Sequence, residues 1–456
     1  MRRGDRKNVA GNGRRVTDRF MAKRKNRNIV NVVTLGCSKN VVDSEHVMAQ
    51  LAAAGYDVVF DSNDADADVV VVNTCGFIGD AKEESIDTIL EFVRAKQEGA
   101  VGRLFVIGCL SERYAEALRE EIPEVDEYFG ARDFRGIVER LTGGYREELE
   151  TTRCLTTPSH YAYLKISEGC NWRCAYCAIP IIRGPHVSVP MEKIIEEARG
   201  LAAEGVKELI VVGQDTTFYG VDLYGRRRLG ELLRRLARIE DIEWIRLHYT
   251  YPTGFPDEVI EVLRDEPKMC RYIDIPLQHI ADSQLRAMRR GISKAETVEL
   301  IARLRREVPD IAIRTTLLVG FPGETEADFA ELEEFVRETR FDRLGVFPYS
   351  PEEGTPSEDM EDDVPDEEKR RRADRIMEVQ RNISLEANVA KIGRRMRVIV
   401  DRREGDFFVA RSQYDSPEVD QEILIPAAGG ELSPGDFCDV RVTSCEEYDL
   451  YGELAG

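Results

Sequence analysis

Three cysteines set four and three residues apart, in the run Cys170-Asn171-Trp172-Arg173-Cys174-Ala175-Tyr176-Cys177, stand directly behind the apolar stretch from Tyr161 to Ile166. Three thiolates so close together imply a metal. Soft sulfur selects zinc, copper(I) or an iron–sulfur cluster. A buried zinc or a complete cubane normally takes four protein ligands, and here there are three. Either the run is a zinc knuckle, for which no second ligand pair lies nearby, or it holds a cubane with one iron left open.

Three more cysteines close apolar runs far apart in the chain: Val32-Val33-Thr34-Leu35-Gly36-Cys37, Val69-Val70-Val71-Val72-Asn73-Thr74-Cys75 and Leu104-Phe105-Val106-Ile107-Gly108-Cys109. From Ile29 to about Tyr145 short apolar strands alternate with amphipathic helices, the pattern of a parallel sheet covered on both faces. In an open parallel sheet the carboxyl ends of all strands lie along one edge, where ligands bind. Cys37, Cys75 and Cys109 are therefore expected to converge. A lone cysteine is commonly a small buried hydrophobe. Three at equivalent strand ends, two of them following glycine, also suit a second three-thiolate set, and the residues alone leave both readings open.

From about His160 to Tyr349 the pattern is six repeats of strand then helix. The strands lie near 161–167, 208–212, 244–248, 272–275, 311–319 and 343–347, with amphipathic helices such as 191–204 and 325–338 between them. Six parallel units make an incomplete barrel, whose function gathers at the carboxyl ends of its strands. There lie Cys170, Cys174 and Cys177, then Gly213-Gln214-Asp215, then Pro276-Leu277-Gln278-His279, then Gly320-Phe321-Pro322-Gly323-Glu324-Thr325. His279 reads as a satisfied core histidine, since geometry is what would make it a catalyst.

These motifs carry a resemblance. The spacing of Cys170, Cys174 and Cys177, with aromatic Tyr176 before the last of them, is similar to the signature of the radical S-adenosylmethionine (SAM) superfamily, whose open iron is chelated by the amino and carboxylate groups of SAM. Leu35-Gly36-Cys37-Ser38-Lys39-Asn40, Asp43-Ser44-Glu45 and Asn73-Thr74-Cys75-Gly76-Phe77-Ile78 resemble the amino-terminal domain of the methylthiotransferase family within it. That resemblance implies two 4Fe-4S clusters, one on Cys170, Cys174 and Cys177 and an auxiliary one on Cys37, Cys75 and Cys109. It also implies SAM contacts at Tyr176, at the turn Gly213-Gln214, and at Gly320 with Arg314 on the same strand. Arg183-Gly184 resembles a family motif whose later arginine is absent here, Val189 preceding Pro190, so no role is carried onto that loop.

The 456 residues leave room for about three domains. The 42% hydrophobic fraction allows real cores, while no stretch approaches a span of roughly 18 apolar residues. No apolar segment follows the first methionine, and ten cysteines gathered in motifs suit metal ligation in a reducing compartment. A cytoplasmic protein without a membrane segment is expected. The net charge of −21 argues against a chain whose whole surface grips nucleic acid.

Residues 1–28, with eleven Arg and Lys against Asp5 and Asp18, are expected to form a basic disordered arm. Pro351 to Glu368 holds ten acids and no Arg or Lys and is expected to be a surface loop, followed by a long helix ending near Gly393. Short alternating pieces then read as a small antiparallel β-barrel, similar to the TRAM domain that closes methylthiotransferases. Cys154, Cys438 and Cys445 read as structural. The expected fold is α/β: an open parallel α/β sheet domain at 29–145, a partial (β/α)6 radical SAM barrel at 156–386 and the TRAM barrel at 388–456.

Placing sulfur on an unactivated carbon means breaking a strong C–H bond, which side-chain acids and bases do not do near neutral pH, so a cofactor must supply a radical. The six cysteines are then ligands, and no side chain is expected to be catalytic. The segments Leu35 to Asn40, Gln214 to Asp222 and Ala410 to Asp420 look like the subfamily that methylthiolates the β-carbon of an aspartate in ribosomal protein S-12. That likeness implies two SAM molecules, ribosomal protein S-12 or the small ribosomal subunit as partner, and a reduced flavodoxin- or ferredoxin-type electron donor. The alternatives are a tRNA methylthiotransferase acting on modified adenosine and a non-enzymatic iron–sulfur protein that binds ribosome or RNA. From 391 to 456 eight basic residues stand against fourteen acidic ones, so acids near Asp415, Glu418 and Asp420 are expected to dock a basic ribosomal protein.

Overall fold

Four consecutive valines, Val69 to Val72, have no polar face to offer water, so a strand made of them must be buried on both sides. The computed structural model, which describes residues 28–62, 67–77 and 79–455, places them in this way. Strands β1 (Ile29–Thr34), β2 (Asp57–Phe60), β3 (Ala67–Thr74), β4 (Val101–Gly108) and β5 (Glu127–Tyr128) form a parallel sheet in the order β2-β1-β3-β4-β5. Val70 and Val72 pack with Ile89 and Val93 of the helix Gly79–Gln97 on one face. On the other, Val69 and Val71 pack with Met48 and Leu51 of the helix Ser38–Ala53. The basic arm expected over 1–28 lies, Asn28 apart, outside the described residues.

The second sheet follows the six-repeat pattern. Its strands are β6 (Tyr161–Lys165), β9 (Glu208–Val212), β10 (Trp244–Leu247), β11 (Met269–Asp274), β12 (Ala312–Val319) and β13 (Arg343–Pro348), all parallel, in the order β13-β12-β11-β10-β9-β6. A short antiparallel ribbon of β7 (Ser167–Glu168) and β8 (Val187–Ser188) brackets the Cys170 loop. Side chains alternate along the strands. Ala162, Leu164, Leu209 and Val211 join the large core under the helices, while Tyr161, Tyr163, Ile210 and Val212 form a separate cluster on the opposite, concave face.

Strands β14 (Arg395–Glu404), β15 (Phe407–Ser412), β16 (Ile423–Pro426), β17 (Phe437–Cys445) and β18 (Leu450–Leu454) close a barrel in the order β14-β15-β16-β18-β17. The pairing is antiparallel except between β16 and β18, which run parallel. This barrel seats at the amino ends of the central strands. Phe437 meets Trp244 edge-on at 5.0 Å, and buried Glu208 is shared by Arg246 at 2.8 Å and by Arg411.

Two expectations about acidic segments are corrected here. The carboxylates of Asp415 and Asp420 are buried and form no docking rim, because the segment carrying them and the exposed Glu418 plugs the lower end of the central barrel. Asp415 pairs with Arg343, Asp420 accepts from the Tyr272 hydroxyl at 2.7 Å, and Glu418 accepts from the hydroxyls of Tyr161 at 3.0 Å and Tyr163 at 3.3 Å. Nor is Pro351 to Glu368 simply a surface loop. Buried Glu352 answers Lys82 at 2.8 Å and Arg113 at 2.9 Å, the Ser357 amide donates to the Ala175 carbonyl at 3.0 Å, and the long helix already begins at Asp366 and ends at Val389. Buried carboxylates need donors, and charge counting along the chain does not reveal them.

Candidate active site between the two cysteine sets

The first set is built by three loops leaving one sheet edge. Cys37 caps the helix Ser38–Ala53, Cys75 directly follows β3, and Cys109 opens the helix Cys109–Glu121. The loops touch. Gly36 has φ +92°, and a Cβ there would stand 2.8 Å from the Cβ of Cys75, so only glycine lets these two loops meet. Asn73 laces them together, its amide donating to the Asn40 carbonyl and the Ser44 hydroxyl, each at 3.0 Å. Asn40 in turn donates to the carbonyls of Leu35 at 2.8 Å and Thr74 at 3.1 Å. Burial pushes the Cys109 thiol up to about 11 and raises Cys75 as well. Burial also works against the Cys37 thiolate, but the charges of Lys39 and Arg183 and two backbone amides outweigh it and bring that thiol below its ordinary value.

The second set lies on the loop between β7 and β8. Burial pushes both Cys170 and Cys177 up to about 12. Cys174 Sγ accepts from Arg290 Nη1 at 3.6 Å and stands 3.5 Å from the Tyr251 hydroxyl. Arg290 lies over the Tyr251 ring at 4.3 Å and donates to the Tyr176 hydroxyl at 3.2 Å. Trp172 stacks on the other side of Tyr251 at 4.1 Å, its indole N–H donating to Asp215 at 2.6 Å. The loop is thus held as a rigid stack.

Neutral thiols crowded in a low-dielectric site ionise when a cation arrives, which is the behaviour of a metal donor set. Among the described residues no group of three His, Cys, Asp or Glu side chains is arranged to hold a single metal ion. Beside the second set, Ser167 Oγ and Gln214 Oε1 are buried without partners, and a Cβ on Gly213 would fall 2.7 Å from that Ser167 oxygen. Two orphaned polar atoms and a cradle that a side chain would fill suit a polar ligand.

One side chain joins the sets. Arg183, 2% exposed, donates to Asp43 at 2.9 Å, Glu168 at 3.2 Å, the Ala131 carbonyl at 3.2 Å and Asn40 at 2.5 Å. Asp43 and Asn40 follow Cys37, and Glu168 precedes Cys170. Burial works against the Glu168 carboxylate, yet Lys165 and Arg183 bring it down to about 2. Cys109 also packs directly on Ala178 and Ile182, just beyond Cys177. The two trios are thus linked across the junction of the first two sheets through Arg183 and through the packing of Cys109 on Ala178 and Ile182.

Known proteins match along the whole of this arrangement. The radical SAM superfamily matches residues 164–336, uncharacterized protein family UPF0004 residues 29–130, and the TRAM domain residues 392–455. The ribosomal protein uS12 methylthiotransferase RimO of Christiangramia forsetii is 55% identical over 94% of this chain and 94% of its own. Its namesake in Bacteroides fragilis is 53% identical over 94% of this chain and 99% of its own. The chain belongs to the RimO family of radical SAM methylthiotransferases. Solved structures share the fold alone: the radical SAM methyltransferase TsrM of Kitasatospora setae, 15% identical, superposes with a TM-score of 0.53 over 72% of this chain and 77% of that one.

Of the residues expected to contact SAM in this RimO-family chain, Tyr176, Gly213 and Gln214 gather at the second trio. Gly320 also lies near that loop, since the next residue, Phe321, packs on Ala175 and meets Tyr176 edge-on at 6.5 Å, whereas Arg314 is placed elsewhere. The Gly320 N–H is taken by Glu324 and its open side is closed by the stem of Lys369. Arg314 donates to Asp274 at 2.9 Å and stands 3.5 Å from Asp420, beside the plug of the C-terminal barrel. His279 is fully buried, its Nδ1 accepting from the Ala281 amide at 3.0 Å. Cys154 packs on the first core, and Cys438 and Cys445 on the last. Sequence reasoning gave no role to Arg183, Arg290, Trp172 or Lys39. Trp172, Lys39 and Arg183 sit inside motifs, which was the one available signal, and Arg290 lies in none of them.

Proposed function

We propose that this RimO-family enzyme methylthiolates the β-carbon of an aspartate in ribosomal protein S-12, with two SAM molecules and two 4Fe-4S clusters. One cluster is assigned to Cys170, Cys174 and Cys177 and the auxiliary one to Cys37, Cys75 and Cys109. The observation that carries this reading is the meeting of two three-thiol sets across Arg183, and the relatives named for uS12 methylthiotransfer support the substrate. Bound there, the clusters and SAM supply the one-electron and sulfur-transfer chemistry that side chains lack.

The chain's own residues position and enclose. Trp172, Tyr251 and Arg290 fix the Cys170 loop, and Arg290 keeps a positive charge beside Cys174. Ser167 and Gln214 present free polar atoms to a polar cofactor group next to Gly213. Val41 and Val42 of the helix Ser38–Ala53 pack on the Tyr161, Tyr163, Ile210 and Val212 cluster of the concave face and would help to exclude water there. The working division is a methylthiotransferase domain at 29–145, a radical SAM domain at 156–386 and a TRAM domain at 388–456, in a cytoplasmic protein served by a reduced flavodoxin- or ferredoxin-type donor. Among the described residues no helix is long and apolar enough to cross a membrane. Mass spectrometry of ribosomal protein S-12 and of tRNA from a strain lacking the gene tests the reading. Loss of a methylthio group from S-12 alone is expected, and loss from tRNA alone would overturn it.

A further inference from the structure

The cations at the junction of the two trios can be counted against their partners. Asp43 and Glu168 each contact both Lys165 and Arg183, so these two carboxylates and two cations answer one another. Lys39 is left over. It is 8% exposed, its ammonium rests 3.3 Å from the centroid of the Tyr249 ring, and no carboxylate lies within ion-pair distance of it among the described residues. A buried cation without a carboxylate is costly, and the Tyr249 ring and the neighbouring Cys37 sulfur offset only part of that cost.

Its position is as informative as its charge. Lys39 follows Cys37 by two residues and reaches from the first domain to Tyr249, which stands just past the end of β10 at the mouth of the central barrel. Tyr249 has φ +54°, a left-handed backbone that a tyrosine rarely adopts, held by its amide's bond to Asp274 at 3.0 Å and its carbonyl's bond from Thr216 at 3.0 Å. Two residues further on, Tyr251 touches Cys174. The Lys39–Tyr249 pair thus links the residue next but one to Cys37 with the loop whose Tyr251 touches Cys174, and a carbon served by both trios would have to lie near it.

We infer that Lys39 is the carboxylate-binding residue of the substrate site, its ammonium pairing with the side-chain carboxylate of the target aspartate over the Tyr249 ring. The inference rests on the proposed aspartate substrate. It also gives that proposal a geometry, because the β-carbon is bonded directly to that carboxylate. Anchoring the carboxylate on Lys39 therefore fixes the reacting carbon one bond away. It further predicts discrimination against the isosteric asparagine, which presents a neutral amide where a charge is required.

The test is binding without turnover. Reconstituted, unreduced full-length enzyme is titrated with an S-12 peptide carrying the aspartate and with the same peptide carrying asparagine. Wild type is expected to prefer the aspartate peptide by about tenfold or more, as for a hydrogen bond to a charged partner. Lys39→Met should bring the preference under about twofold, and Lys39→Arg should keep most of it. Undiminished discrimination in Lys39→Met overturns the inference, as does an altered electron paramagnetic resonance signal of the auxiliary cluster with discrimination intact, since Lys39 would then serve the cluster. Failure of the proposed function looks different: wild type then ignores both peptides and modifies tRNA. The wild-type comparison of two peptides needs no variant, so a misfolded Lys39→Met cannot hide the answer.

Discussion

Arg183 has surrendered its hydration to four acceptors, two of them carboxylates flanking opposite cysteine trios. Arg183→Gln leaves Asp43 and Glu168 sharing Lys165 alone, and should lower unfolding stability by about 3 kcal/mol, the scale for removing one partner of a buried ion pair. Anaerobic urea titration at neutral pH measures it, and a loss below about 1 kcal/mol would contradict the bridging role. The trios themselves predict iron content. Wild type should bind about eight irons per chain, and Cys174→Ala or Cys75→Ala about four. Only Cys75→Ala should still cleave SAM reductively to 5′-deoxyadenosine, and an unchanged iron content in it would show the auxiliary set misassigned. Both cysteine trios were legible in the sequence as groups that should converge, one from local spacing and one from repeated strand ends, while the cluster proposed for the second rested on the family resemblance. Arg183 and Lys39 were not, because what defines them is a partner well over a hundred residues away, Asp43 for one and Tyr249 for the other.

At the scale of elements, hydrophobic periodicity gave the six central strands to within a few residues at most of their ends, since each alternates between the helix-side core and the concave face. The segment 413–421 escaped that reading. It has no period, and its acids look solvated until the tyrosines and arginines they serve are seen in three dimensions. His248 marks the same contact. It is buried against Tyr272 and hydrogen-bonded to Ser416 of the plug at 3.0 Å. Burial first, then Arg246, Arg314 and Lys39, hold it down to about 3, while Asp274 opposes them. Its pKa is lower in the folded than in the unfolded state, where it is about 6.5. Unfolded chains therefore take up a proton below pH 6.5 that folded ones refuse, so this histidine subtracts stability as pH falls from about 6.5 toward 3, by up to about 1.4 kcal/mol per unit. Urea midpoints at pH 7 and pH 5.5 should fall less in His248→Gln than in wild type. Equal slopes would show that the plug does not enforce the neutral imidazole.

For the whole molecule, the charge of −21 is what a basic partner meets first, and steering depends on acids that remain free. Asp415 and Asp420 are committed to Arg343 and Tyr272, so reversing them breaks the junction between barrel and plug and reports stability rather than docking. Asp406, Asp439 and Glu447 on the C-terminal barrel are exposed, and these are the acids on which a docking role can be tested. Replacing all three by lysine changes the surface by six charges without touching the core of that barrel. If this face guides a basic ribosomal protein, association of the variant with isolated S-12 or the small subunit should slow, and its rate should depend less on salt than that of wild type, because screening acts on charges that no longer attract. The thermal midpoint should stay close to that of wild type, whereas Asp415→Lys should lower it. A tRNA partner reverses the sign, since added lysines strengthen the hold on phosphate. Stopped-flow association at low and high salt separates the cases. Unchanged rates on S-12 would move the docking face off this barrel, and faster association with tRNA alone would move the substrate.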